Sequence, residues 1–273
     1  MKYYIADTHF GHQNILSFTK RPFSSIEEME KALISNWNST ITDNDEVYII
    51  GDLFYREHHP ERILSQLKGK KTLIIGNHDE HWLTDECKSY FTEIKTSLEI
   101  IDHNHCVYLC HYPMVSYPKQ SRAYMIHGHI HNDTLFDYWC ILLKRSRILN
   151  AGVDINHFKP VTLDELITNN TKYKQKMLDS YPMHLLSIRR YEDDEKTQQW
   201  LNEKIVALSR TKLREGIIQI NQDKLPQIEL LQKEILENDH YSSHIKNFDV
   251  VYIDSDGRYS YVSYLNSDTI YLK

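Results

Sequence analysis

Four cysteines in 273 residues, none in a Cys-x-x-Cys pair, offer no disulfide framework and no thiolate cluster for a structural zinc ion. Cys87, Cys106, Cys110 and Cys140 therefore read as reduced thiols, which points to a cytoplasmic setting. Long apolar runs are missing too. None approaches the roughly 18 residues that span a bilayer, so no membrane partner is expected. A strand-like run begins at once, at residues 2–6, and leaves no room ahead of it for a secretory leader of roughly 15–30 residues. Positive charge is not in excess: the formal net charge is −6, which argues against a broad, non-specific grip on nucleic acid. That balance still allows a nuclease, because a metal centre supplies positive charge locally. Histidine, by contrast, is abundant and unevenly spread. Thirteen of the sixteen lie before residue 169, which directs attention to metal or proton chemistry in that part of the chain.

The first 168 residues alternate short β-rich runs with helical patterns. Strands are expected at 2–6, 46–50, 71–75, 97–101, 106–110, 122–126 and 148–151. Helices are expected near 14–18, behind a Ser24/Glu27 capping box, over 60–67 and 80–90, and briefly after a second box at Thr162/Glu165. The composition then changes. Residues 169–192 are polar and basic and read as a linker. Residues 193–273 read as a small α+β appendage, with helices over 193–214 and from Pro226. Strands are expected there near 248–253, 258–265 and 269–272, the first two joined by a turn at 254–257.

The ionisable residues fall just past the ends of apolar runs: Asp7-Thr8-His9, Gly51-Asp52, Gly76-Asn77-His78-Asp79, His111 and Gly128-His129-Ile130-His131. In layered α/β proteins ligands collect in the loops beyond the carboxyl ends of strands, so several loops converge on one sheet edge. Carboxylate, imidazole and amide oxygen together suit borderline divalent ions such as Mn, Fe, Zn or Ni. Two such ions roughly 3.5–4 Å apart need a bridging carboxylate and can act on phosphorus together. Gly51, Gly76 and Gly128 allow tight turns and close approach of backbone to the centre. His12, three residues past His9, could face the cleft and touch substrate, or bond backbone at a helix start. Arg21 could clamp a phosphate with its guanidinium, or serve in a structural ion pair.

The ordered set D-x-H, G-D, G-N-H-D, H and G-H-x-H resembles the calcineurin-like metallophosphoesterases, with all five blocks present and in order. His9-Phe10-Gly11-His12, Arg21-Pro22-Phe23 and Asn150-Ala151-Gly152-Val153-Asp154 are similar to a small bacterial and phage branch of phosphoesterases. The resemblance covers residues 1–168. It implies an α+β fold, a four-layer αββα sandwich of two central mixed sheets. It also implies two divalent ions: Asp7, His9 and His131 on one, Asn77, His111 and His129 on the other, and Asp52 bridging. His78 would be the catalytic group at the substrate phosphate, with Asp79 orienting its ring. The reaction implied is hydrolysis of phosphate mono- or diesters by in-line attack of a hydroxide shared by the ions, nucleotide and nucleic-acid diesters included. The complete set around His9 favours diesters. A non-catalytic metal-binding scaffold on the same fold is the alternative. The stretch Leu53-Phe54-Tyr55-Arg56 departs from the acidic or polar residue many members carry after Gly-Asp.

Overall fold

A computed structural model describes residues 1–133, 139–178, 183–190, 195–208, 217–220, 225–253 and 259–263. The chain divides into two compact units, Met1–Gln175 and Lys176–Lys273.

In the first unit, β1 (Lys2–Ile5), α1 (Ile15–Phe18) and α2 (Ile26–Thr40) precede β2 (Glu46–Ile50), α3 (Glu61–Leu64) and β3 (Lys70–Ile74). Then come α4 (Asp85–Lys88), β4 (Phe91–Lys95), β5 (Ser97–Asp102), β6 (His105–Cys110) and β7 (Tyr124–His127). The unit continues with α5 (Trp139–Lys144) and β8 (Ile148–Asn150), and ends in α6 (Leu163–Leu178). Strands β1-β2-β3-β4 form one sheet and β5-β6-β7-β8 another. The first sheet is parallel throughout, where two mixed sheets were expected. In the second, only the β5–β6 pair is antiparallel.

Side chains alternate across a strand, so a strand covered on both faces must be apolar at every position. Strands β1 and β2 show this: Tyr3, Ile5, Val47 and Ile49 join Met29, Leu33 and Trp37 of α2 in one buried cluster. Their neighbours Tyr4, Ala6, Tyr48 and Ile50 meet Val107, Leu109, Ile126 and Leu149 of the second sheet in another. The two sheets are thus stacked face to face. Outside the sheets' own ladders, Tyr4 pairs with Val161 and Ala6 with Gly152, just past the end of β8.

Two caps show how local chemistry sets the ends of helices. Thr162 and Glu165 form the expected box before α6: the Thr162 N–H donates to the Glu165 carboxylate at 2.9 Å. At α2 the cap sits one residue later than expected. Ser25 accepts from the Glu28 N–H at 3.2 Å, and Glu28 reaches back to the Ser24 N–H at 2.7 Å.

The second unit holds β9 (Met183–Arg190), α7 (Glu195–Leu208), β10 (Ile217–Ile220), α8 (Leu225–Leu236), α9 (Asp239–His244), β11 (Ile245–Ile253) and β12 (Tyr259–Ser263). Its sheet is antiparallel, in the order β10-β9-β11-β12. Ile228, Leu231 and Ile235 are buried, as their helical spacing suggests. The polar stretch 169–192, expected as a linker, instead carries the end of α6 and the eight residues of β9. The expected turn at 254–257 and strand at 269–272 lie outside the described residues. No described helix is long and apolar enough to cross a membrane.

Candidate metal centre

The loops that follow β1 and β2 run side by side, zipped by main-chain bonds. Asp7 N–H donates to the Gly51 carbonyl and His9 N–H to that of Asp52, each at 3.1 Å, and Phe10 N–H to that of Leu53 at 3.0 Å. The loops after β6 and β7 meet similarly, Gly128 N–H donating to His111 carbonyl at 2.9 Å. Five expected ligands take left-handed backbone in these turns: Asp7, His9, Asp52, His129 and His131, with φ between 50° and 71°. Asp and His tolerate that region better than most residues, yet it is costly for any side chain and clusters where function demands it. The glycines answer to space as well. A Cβ on Gly51, at φ +79°, would overlap the His111 ring, and one on Gly76 would overlap the Asp52 carboxylate.

Two groups of candidate ligand atoms result, each lying within 4.8 Å of one another: Asp7, His9 and His131 in one, Asp52, His111 and His129 in the other. Asn77 joins the second, its Oδ1 lying 3.0 Å from both His111 Nε2 and His129 Nδ1. The Asp52 carboxylate lies between the groups: Oδ2 is 3.6 Å from His9 Nε2 and 3.4 Å from His111 Nε2.

Ring orientation is set from behind. His111 Nδ1–H donates to the Ile50 carbonyl at 2.9 Å, which leaves Nε2 with its lone pair turned to the cluster. His131 Nδ1–H donates to Asp154 Oδ2 at 2.9 Å, with the same consequence for its Nε2. His9 Nδ1 is engaged by His12 Nδ1 at 3.2 Å, and its Nε2 is buried without any hydrogen-bond partner. A buried polar atom left in that state asks for a ligand. A divalent ion fits this donor set, because imidazole nitrogens and carboxylate oxygens aim at common points.

With protons as its only cations, the cluster is electrostatically awkward. Burial pushes the Asp7 carboxyl up to about 6, against the pull of His131 and His111. Burial also disfavours the charged His111 ring, but Asp52 and Asp7 outweigh it and raise the ring to about 9. His129, half-buried beside His111, is lowered to about 4 by partial burial and the His111 charge. Neighbouring groups pushed in opposite directions are characteristic of functional sites.

Several expected roles need correcting. Of the two roles weighed for Arg21, the structural ion pair is the one observed, and the residue is not placed to bind substrate. It is buried, and all five of its donors are committed: Nε and Nη2 to Asp154 at 2.8 and 3.0 Å, Nη2 to the Asp7 carbonyl and Nη1 to that of Thr8 at 2.7 Å, and Nη1 to Met29 sulfur at 3.3 Å. His12 is likewise buried, stacked on Tyr55 at 3.9 Å, and spends Nδ1 on His9. Asp79 does not orient His78. Its Oδ2 accepts from Gly76 and Asp52 N–H at 2.7 and 2.9 Å, and its Oδ1 from Leu53 N–H and Trp82 Nε1–H at 3.0 Å. His78 is held by its own N–H, which donates to Asp52 Oδ1 at 3.0 Å, and its Nε2 faces Asp52 Oδ2 from 4.0 Å. His127 is structural: buried, donating to the Gly128 carbonyl at 2.9 Å, and lowered to about 3 by burial.

Sequence reasoning assigned no role to four residues around the centre. Asp154 pairs with His131 and Arg21, and Asn150 donates to the His131 carbonyl at 2.7 Å. Their signal was the block 150–154, noted there without a function. The Tyr55 ring lies 4.9 Å from that of His78, and the exposed Tyr112 ring 4.6 Å from that of His129. Tyr55 lies in the stretch 53–56 noted as departing from the family pattern, whereas nothing in its immediate sequence marks Tyr112.

Comparison with known proteins agrees with this geometry. A family model described as calcineurin-like phosphoesterase matches residues 3–235, past residue 168, where the motif resemblance stops. An uncharacterized protein of Methanocaldococcus jannaschii is 38% identical over 169 residues, 60% of this chain and 88% of its own length. The gene 66 protein of Mycobacterium phage L5 is 24% identical over 198 residues, 57% of this chain and 94% of its own. Among solved structures, a protein of unknown function from Aquifex aeolicus is similar with a TM-score of 0.50 and 28% identity, covering 62% of this chain and 98% of that one.

Proposed function

The chain belongs to the calcineurin-like phosphoesterase family, a hydrolase of phosphoric esters, and on that premise we propose that it cleaves phosphate diesters, nucleotide or nucleic-acid diesters among them, at a centre holding two divalent ions. Asp7, His9 and His131 would hold one ion, and Asn77, His111 and His129 the other. The observation that carries this reading is the place of Asp52, whose Oδ2 stands 3.6 Å from His9 Nε2 and 3.4 Å from His111 Nε2, where one carboxylate can serve both groups.

When bound, ions at such a centre neutralise charge on the phosphoryl oxygens and acidify water. The remaining work falls to side chains. Asp52 offers one oxygen between the two groups, while its other oxygen accepts from His78 N–H and fixes the start of the His78 turn. His78 Nε2, 4.0 Å from the Asp52 carboxylate, is beyond hydrogen-bond reach of it. The ring is therefore free to meet an oxygen of the substrate. Burial lowers His78 below the ordinary histidine value, and Asp52 only partly opposes this. A protonated His78 ring at that position could hand its proton to the leaving oxygen. Tyr55 sets the ring edge-on at 4.9 Å. The complete set at Asp7, His9 and His131 favours diesters over monoesters.

Elemental analysis of purified protein, coupled to turnover of matched nitrophenyl diesters and monoesters, tests the proposal. We expect two ions per chain, faster turnover of the diester, and a drop of about a thousandfold in kcat/KM for Asp52→Asn, the upper end for losing one preorganised electrostatic group. Turnover of the monoester alone would overturn the diester preference. Two bound ions with no turnover across a broad ester panel would mark the chain as a binding scaffold.

A further inference from the structure

Arg21 and Asp154 lie 133 positions apart in the chain and are joined by two hydrogen bonds within the buried interior. Burying both charges carries a cost that a well-packed apolar pair avoids, and neither residue faces the cleft as a free group. What they touch explains their presence. Asp154 Oδ2 accepts from His131 Nδ1–H at 2.9 Å. The Arg21 guanidinium takes the main-chain carbonyls of Asp7 and Thr8, each at 2.7 Å. Asp7 and His9 are the left-handed residues on either side of Thr8. One ion pair thus fixes the ring of His131 and the strained turn that presents Asp7 and His9. The other group takes no direct contact from this pair. His111 is held by the Ile50 carbonyl and Asn77 Oδ1 bonds the His129 ring, while His129 N–H donates to the Asp7 carboxylate at 2.9 and 3.0 Å.

Resting on the reading that Asp7, His9 and His131 hold one of two ions, we propose that Arg21 and Asp154 are positioning residues dedicated to that ion and not to its neighbour. A planar guanidinium with five donors in a fixed fork can hold a carboxylate and two carbonyls at once, which a lysine ammonium cannot reproduce. The carboxylate fixes which imidazole nitrogen keeps its lone pair, and losing such a partner weakens metal affinity by about 10- to 100-fold.

The test is a Mn2+ titration of the full chain, with free ion followed by electron paramagnetic resonance and folding by circular dichroism. Wild-type protein is expected to bind two ions. Asp154→Asn should weaken one by about 10- to 100-fold and leave the other unchanged. Adding Asp154→Asn to Asn77→Ala should remove the remaining tight ion. Should the single variant fail to fold, Arg21→Met/Asp154→Leu removes both buried charges together and carries the same expectation. Unchanged binding of both ions in a folded variant, or equal weakening of both, would each overturn the clamp. Wild-type protein that bound no ion pair would sink the reading of the centre, and the clamp with it. That outcome is seen before any variant is made.

Discussion

Asp79 shows how much of the centre depends on a side chain that need not touch an ion. Its two oxygens accept four N–H groups, three from the turns that carry Asp52 and Asn77 and one from Trp82. Burial raises its carboxyl, and the Gly76, Leu53 and Asp52 N–H groups pull against that rise. Asparagine has the same shape but turns an NH2 towards two of those donors. Each buried donor left without an acceptor costs about 1–3 kcal/mol, so Asp79→Asn should lower the unfolding free energy in urea by about 3 kcal/mol. A loss under about 0.5 kcal/mol would show that the four bonds matter little. The candidate ligands could be read from sequence because the chemistry demands particular side chains at strand ends, in an order a one-dimensional pattern preserves. Asp79 was misread because adjacency to His78 suggested contact with it, whereas the tight turn directs the carboxylate down onto the main chain. An ion pair for Arg21 could be anticipated, but its pairing with Asp154 could not: only the fold brings them together, across 133 residues.

Elements were legible in proportion to their burial. Strands β2 and β3 are buried at every position but the first, and their expected limits fall within a residue of those observed. Strand β4 pairs with β3, yet it is half open to solvent and reads Phe-Thr-Glu-Ile-Lys, with too little apolar signal to mark it. The helices expected over 60–67 and 80–90 shrink to the single turns α3 and α4. Their short apolar patterns could not separate a helix from a string of turns. Helix α6 lies at the other extreme. Its start was legible from Thr162 and Glu165, but its 16-residue length was not, because the second half is polar. That half is nonetheless used: Lys174 Nζ donates to the Arg145 carbonyl at 2.8 Å and to that of Ile148 at 2.6 Å. Losing the cap should matter accordingly. Thr162→Ala is expected to cost about 1 kcal/mol in urea unfolding, and no measurable change would assign the helix start to packing instead.

At the scale of the whole molecule, the structure of the first unit and its candidate chemistry are inseparable. Five ligands held in left-handed backbone store roughly 1 kcal/mol or more apiece. Strain of that size persists only where something else over-determines it, and ion binding is what the donor set offers. An ion at about a hundredfold excess over its dissociation constant stabilises the folded state by about 2.7 kcal/mol per site. In a domain of this size that corresponds to roughly 5–10 °C in Tm for each site. Chelation should therefore lower the Tm by at least that much. The same argument locates the effect. Both buried clusters draw only on residues up to 167, and every candidate ligand and its hydrogen-bonding partners precede residue 155. A fragment ending at 178, after the last residue of α6, should fold cooperatively, bind two ions, and lose the same number of degrees on chelation as the full chain. A fragment that folded but bound fewer ions would show that the second unit helps to build the centre. A fragment that bound both ions and turned over different esters would assign that unit to substrate choice.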